Sequence, residues 1–347
     1  MTSSNDNARN DRGVAMMYVA VFLMSSLWLI SLAVDMGKLM TTKTELQRAA
    51  DAAALAGASA INPATGVITQ ATARLRAATA ASSNTALQER SEAVDIDPDN
   101  DVEFLGPRQV RVTVRRAAAS GNPMTTIFAQ TLGIASLNIT ANATAEAAPL
   151  TGVCKNLLPF APVQASAAGF SKTCGSADTL KTSSGSNGNF HLLSFPPCDS
   201  GPCAGVGGNG GAAIRCFLDN GYGCCVVLGE EWDQTVTKPG NNVGPVRQGL
   251  QARWDSDTDR SSNICYQQYA GNGRRVLPVP IVQTFTGLNG RKGVRITGFA
   301  GFFMLKRPSG GGQNMAVIGQ FIDYVEPGIV GGGNPPPNAL YTLRLVE

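Results

Sequence analysis

The chain has 347 residues, of which 43% are hydrophobic and 15% charged, with a net charge of +3. An ordinary share of core formers and a charged fraction below the roughly 25% of an average globular chain exclude disorder through excess charge. Without a concentrated Lys/Arg stripe no nucleic-acid partner is expected. The single histidine, His191, excludes mechanisms that need a His pair or a His-rich metal site.

Residues 1–13 form a short polar tail. Residues 14–34 form an uncharged run of 21 residues. At about 1.5 Å per residue such a helix covers the roughly 30 Å hydrocarbon core of a bilayer. A buried core helix rarely runs so long without a polar face. A cleaved signal peptide has an apolar core of only about 7–15 residues, so the segment reads as a retained transmembrane helix. Arg9 and Arg12 before it and Lys38, Lys43 and Arg48 after it leave the orientation open by charge. All the cysteines follow residue 153. Their oxidising compartment places the N-terminus in the cytoplasm and the residues after 35 outside it.

Beyond Asp35 no helix breaker appears before Asn62-Pro63, so residues 35–62 read as a helical stalk continuous with the membrane helix. Leu39, Leu46, Ala49, Ala50, Ala53 and Ala56 recur at three- and four-residue spacings, with Gly57 beside them. Such a small-residue face allows close helix packing, and Ala49, Ala53, Ala56 and Gly57 are its candidate contact residues. Its partner is either another chain's helix or the protein's own ectodomain.

Residues 63–149 read as a small α+β unit: a helix from Val67 to Arg90, alternating strands in VDIDPDNDVEFL, RQVRVTVRR and SLNITANATAEA, and a short helix from Pro123 to Gly133. From residue 150 to 347 Gly, Pro, Ser and Cys dominate. Strands are expected in VLPVPIVQTFT, GVRITGFAGFFML, AVIGQFIDYVE and YTLRLV, giving a mostly-β ectodomain built as a sandwich or barrel.

The eight cysteines, Cys154, Cys174, Cys198, Cys203, Cys216, Cys224, Cys225 and Cys265, read as a disulfide framework. Zinc would need close C-x-x-C pairs or histidines. Eight cysteines allow 105 pairings, so spacing does not fix connectivity, although adjacent Cys224 and Cys225 are each expected to bond elsewhere. Asp255, Asp257 and Asp259 alternate as at the start of a Ca²⁺ loop, but Arg260 replaces the turn glycine and Tyr266 the closing glutamate. They remain a candidate Ca²⁺ site beside the simpler reading of a solvated acidic turn, and Asp95, Asp97, Asp99 and Asp101 are read the same way. His191 has no nucleophile elbow to serve, and no phosphate-binding glycine motif occurs. A non-enzymatic protein without a small-molecule substrate is therefore expected.

The segment RGVAMMYVAVFLMSSLWLISLAVDMGKLMTTKTELQRAADAAALAGA resembles the N-terminal region of TadG-like proteins of the Flp (tight-adherence) pilus system. The resemblance rests on Gly13 before the span, Ala33-Val34-Asp35 at its outer edge, and Leu46-Gln47 through Asp51 to Ala58. It implies a membrane-anchored, pilin-like accessory component, minor or tip-associated, that packs through its N-terminal helix on pilin-like or Flp pilus-assembly proteins. Two features depart from related patterns. Tyr18 stands fifth after Gly13, where a cleaved prepilin carries Glu, and no D-x-S-x-S metal motif of a von Willebrand A domain is present. The alternative is a membrane-tethered, surface-binding ectodomain without a pilus role, for which Trp232 and Trp254 are the candidate contact aromatics.

Overall fold

The computed structural model describes residues 6–62, 65–84, 94, 96–167, 172, 174–181, 189–206, 210–229, 235–311, 315–324, 327–331 and 339–346. They form two compact units. One comprises Met1–Ala60, Gln70–Ala145 and Leu345–Glu347, the other Ile61–Thr69 and Glu146–Arg344.

The first unit is built on α1, a single helix from Asp6 to Ala58. Helix formers such as Leu, Met, Ala, Lys and Glu fill it, and only Gly13, Gly37 and Gly57 interrupt them. Against its C-terminal part pack α2 (Gln70–Ser82) and the hairpin β1 (Val102–Gly106) and β2 (Gln109–Arg116). In α2 the buried residues are Ala73, Ala77 and Ala81, one per turn. In β2 Val110, Val112 and Val114 alternate inward, as a half-buried strand requires. The first part of β3 (Ile139–Val153) lies on the other side of β2, so β2 is the central strand. A Cβ at Gly57 would stand 3.2 Å from Val110 Cγ1 and 3.6 Å from Ala77 Cβ. The helix, its partner helix and the sheet meet there with no room for a larger side chain.

Three expectations change. The second helix starts at Gln70 rather than Val67, because Val67–Ile68 pairs antiparallel with Ile61–Asn62 in the second unit; residues 85–90 lie outside the described residues. The helix expected from Pro123 to Gly133 is instead Met124–Thr125 paired with Ser136–Leu137, joined through a 3-10 turn, Ala129–Leu132. The β-branched run Thr125-Thr126-Ile127 disfavours helix there, and a carboxylate from α1 takes up the N–H groups that a helix would have used internally.

In the second unit, β4 (Asp178–Lys181), β7 (Val276–Val282), β8 (Ile296–Met304) and β9 (Val317–Ile322) form an antiparallel sheet in the order β7-β8-β9-β4. Pro278 and Pro280 fall on the edge strand β7, where a missing N–H breaks no ladder. A second antiparallel pair joins β5 (Asn189–Ser194) to β6 (Val236–Pro239). The third change is an addition: the mostly-β unit, expected as a sandwich or barrel, also contains two helices, α3 (Gly211–Asn220) and α4 (Val243–Asp255). Ile214, Leu218, Leu250 and Trp254 of these helices share one core with Leu277, Val279, Phe302 and Phe321 of the sheet. Glycines hid both helices in the sequence. Yet Gly249 is what lets them touch, because a Cβ there would lie 2.7 Å from the Arg215 carbonyl oxygen.

All eight cysteines are paired: Cys154–Cys225, Cys174–Cys265, Cys198–Cys224 and Cys203–Cys216. The neighbours Cys224 and Cys225 bond to different partners, as expected, which avoids a strained ring between them.

Two outcomes follow for the full chain in detergent. Ala53, fully buried, has no space for a larger group, so Ala53→Leu is expected to cost about 1–3 kcal/mol. Exposed Arg48→Ala should change the melting curve little. Replacing both members of Cys154–Cys225, 71 residues apart, should cost about 4 kcal/mol, and of Cys203–Cys216, 13 apart, about 3 kcal/mol. Denaturant midpoints of the two double serine variants would check that order.

Candidate functional site

The side chains of α1 change environment at one residue. Along the apolar run the large side chains are exposed: Met16 is 77%, Phe22 69% and Leu29 70% accessible. A continuous apolar sleeve of this length marks a surface that water is not meant to cover. From Asp35 onward a buried stripe begins: Asp35, Thr42, Leu46, Ala49, Ala50, Ala53, Ala54, Gly57 and Ala58. Those spacings repeat one face of a 3.6-residue helix. The helix is therefore long and apolar enough to cross a membrane in its first part, and seated on its own unit in its second.

The seat explains the order of residues after the span. Leu46, Ala49, Ala50, Ala53 and Ala54 are fully buried, and Gly57 is enclosed by Val110, Ala73 and Ala77. Ala56 lies beside this stripe and is only partly buried. The face that sequence offered to either another helix or the chain's own ectodomain is covered here by α2 and β2. The polar members of the motif serve the same seat. Gln47 Nε2 donates to Asp51 Oδ1 at 2.9 Å and to the Asn142 carbonyl of β3 at 3.0 Å. One side chain thus ties a neighbouring helical turn to the sheet.

Asp35 makes the first contact of the stripe. One carboxylate oxygen accepts the N–H of Ile127 at 2.8 Å, and the other those of Phe128 at 3.0 Å and Ala129 at 2.6 Å. Three consecutive backbone donors converge on one charged acceptor, an arrangement that a neutral side chain of the same size would fill only in part. One turn later Lys38 Nζ donates to the Thr125 carbonyl at 2.8 Å. The loop between Thr125 and Ala129 is held at the end of the apolar run from both sides. Sequence reasoning placed Asp35 only as the edge of the span. Its partners lie more than 90 residues away, and no local signal points to them.

The other candidates fall in the second unit. Asp255 forms a two-point ion pair with Arg307, at 2.8 and 2.7 Å, and this contact holds its carboxyl below the usual range. Asp257 is buried and accepts from the Arg275 N–H at 3.0 Å and the Tyr269 hydroxyl at 2.5 Å. Burial, then this carboxylate, pushes the Tyr269 hydroxyl up. Asp259 accepts the N–H groups of Ser261 and Ala270, which draw its carboxyl down. The three carboxylates are thus committed to three different sets of donors. Among the described residues no group of His, Cys, Asp or Glu is placed to hold a metal ion.

The buried Arg275 guanidinium organises this loop. It donates to the carbonyls of Met304, Asp259 and Ser261 and stacks over Trp254, 4.1 Å from the ring centre, and Phe303, 4.5 Å. Trp254 is therefore core and not a contact aromatic; Trp232 lies outside the described residues. Arg253, also buried, donates to the Leu218 and Asp219 carbonyls and to Asn156 Oδ1, while burial pushes it down to about 9. The His191 ring stacks on Phe285, 5.2 Å between centres. In the first unit Asp97, Asp99 and Asp101 form a turn: the Asp97 carboxylate accepts the Asp99 N–H and the Asp101 carboxylate that of Asp97; Asp95 lies outside the described residues.

Replacing Asp35 with Ala should leave three loop N–H groups without their acceptor. Hydrogen exchange of the peptide spanning residues 124–134 is expected to speed up markedly, with Asp35→Asn intermediate and the α2 peptide unchanged. Equal protection in all three proteins would show that the carboxylate does not hold the loop.

No curated protein and no solved structure matches this chain. The segment just described, from Gly13 through Asp35 and the buried Ala stripe to just past the end of α1, carries a family signature: residues 13–60 match the family model described as putative Flp pilus-assembly TadE/G-like.

Proposed function

We propose that this protein is a membrane-anchored accessory component of Flp pilus assembly, minor or tip-associated, and non-enzymatic. The observation that carries the reading is the coincidence of the family match at residues 13–60 with the change of α1 from exposed apolar to buried at Asp35. A helix that presents only apolar side chains over its first part needs a bilayer, or the apolar helices of other subunits, around it. Residues 14–34 are the spanning segment, the N-terminus is cytoplasmic, and the disulfide-bonded unit lies on the oxidising side, where its four bonds persist.

The contact with pilin-like partners falls on the exposed apolar part of the helix. Ala49, Ala53 and Gly57 act in it by fixing the helix to its own unit, with Ala56 at the margin of that seat. Such a part works by position and shape, so no reaction is assigned to it. The reading as a tethered surface-binding ectodomain has lost Trp254 to the core.

Counting surface pili by electron microscopy in a deletion strain and its complemented counterpart tests the role. Loss of pili, restored by the gene, is expected. Normal pili with lost attachment would move the function to the ectodomain as an adhesin. Normal pili and normal attachment would overturn the proposal.

A further inference from the structure

The loop from Thr126 to Ile134 holds four exposed large apolar side chains: Ile127 at 46%, Phe128 at 41%, Leu132 at 58% and Ile134 at 47%. It contains no charged residue. A surface loop of a water-facing domain gains nothing from such a cluster.

Its position is more telling than its composition. Phe128 and Leu132 form one wall of an apolar groove of about 780 Å³ whose other wall is α1, from Ser25 through Trp28 and Leu32 to Asp35. From Ser25 to Asp35 the helix rises about 15 Å, half the thickness of a hydrocarbon core. The loop therefore does not stop at the end of the apolar run; it folds back beside it. Where the helix is surrounded by lipid, so is this loop.

The backbone of the loop is prepared for such a place. Irregular chain is tolerated near lipid only when its polar groups are paired. Asp35 takes the N–H groups of residues 127–129. The Thr126 N–H bonds the Ala135 carbonyl, Thr131 bonds Phe128, Gly133 bonds Gln130, and Ile134 bonds Ala129. The polar side chains bond back to carbonyls of the same loop: buried Thr126 Oγ1 donates to the Ile134 carbonyl at 2.5 Å, and exposed Gln130 Nε2 donates to Ile127 and exposed Thr131 Oγ1 to Phe128. The outward surface is then made mainly of the side chains of Ile127, Phe128, Leu132 and Ile134, with Gln130 and Thr131 beside them already bonded to the loop's own carbonyls.

We propose that residues 126–134 are a second membrane contact, a loop that dips into the headgroup and acyl boundary beside α1 and fixes the rotation and tilt of the first unit on the bilayer. The occupant of the groove is lipid. The proposal rests on the reading of residues 14–34 as a spanning helix, and the test separates the two.

The photocrosslinking residue p-benzoylphenylalanine replaces, one at a time, Phe128, Leu132, Trp28 and Leu105 in the full chain. Each protein is reconstituted in vesicles of phosphatidylethanolamine and phosphatidylglycerol, irradiated, and examined by mass spectrometry for lipid adducts. Leu105 is the control. It is 41% exposed and lies in the hairpin that meets α1 near Gly57, about 33 Å along the helix from Asp35. The expected result is adducts at positions 28, 128 and 132 and none at 105. Adducts at 28 with none at 128 or 132 would overturn the loop contact and leave the anchor standing. Adducts at 128 and 132 without any at 28 would support the lipid contact and sink the spanning helix. Absence at all three, adducts at 105 equal to those at 128, or crosslinks at 128 between two copies of the chain would each overturn the loop proposal.

Discussion

The hydrogen bonds between the Asp35 carboxylate and three successive N–H groups of the 127–129 segment decide how the first unit relates to its own helix. A charge at the end of an apolar run would ordinarily end in water. Here it is enclosed, and the donors that enclose it come from a distant part of the chain. The contact fixes the height of the loop along α1, and with Lys38 and Gln47 it fixes the rotation of the helix about its axis. Once that rotation is set, the residues at successive turns, Thr42, Leu46, Ala49 and Ala53, must face the unit, and the buried stripe follows.

This accounts for why small residues fill that stripe. Larger aliphatic side chains would bury more area per residue, yet the helix must meet both α2 and β2 near Gly57, where a single added Cβ already presses on Val110. Alanine gives the stripe helix propensity at no side-chain entropy cost and lets three elements close together. The stability of the first unit thus rests on close approach over many turns rather than on a few bulky anchors. The second unit uses the opposite solution. Phe299, Phe302 and Phe303 fill its centre, and disulfides and buried arginines brace the irregular segments around it.

Much of the first unit was legible because its signals are local. An uncharged run of bilayer length, a three- and four-residue Ala stripe, and the alternation of Val110, Val112 and Val114 each announce themselves within a dozen residues. The misread helix at residues 123–133 shows the limit: its pattern was acceptable for a helix, but the β-branched run and a carboxylate from residue 35 favoured a loop. In the second unit, Gly244, Pro245 and Gly249 disguised α4. Proline is harmless in the first helical turn, where no internal acceptor awaits its N–H, and Gly249 is selected by contact with α3, which no window of sequence contains. The disulfide pairs were closed to sequence for the same reason, being set by the path of the chain between cysteines.

In the acidic loop at residues 255–259 the carboxylates are partnered within the protein. Alternating aspartates suit a hard cation because their oxygens can converge. Here every carboxylate is instead turned to a donor of the protein: Arg307 for Asp255, Tyr269 and the Arg275 N–H for Asp257, and the Ser261 and Ala270 N–H groups for Asp259. The loop's carbonyl oxygens, which a cation would also use, point at the Arg275 guanidinium. A delocalised cation fixed on the chain thus occupies the role that a bound ion would fill, and stacking on Trp254 and Phe303 orients it. Through the same side chain the contacts of the loop extend to the core.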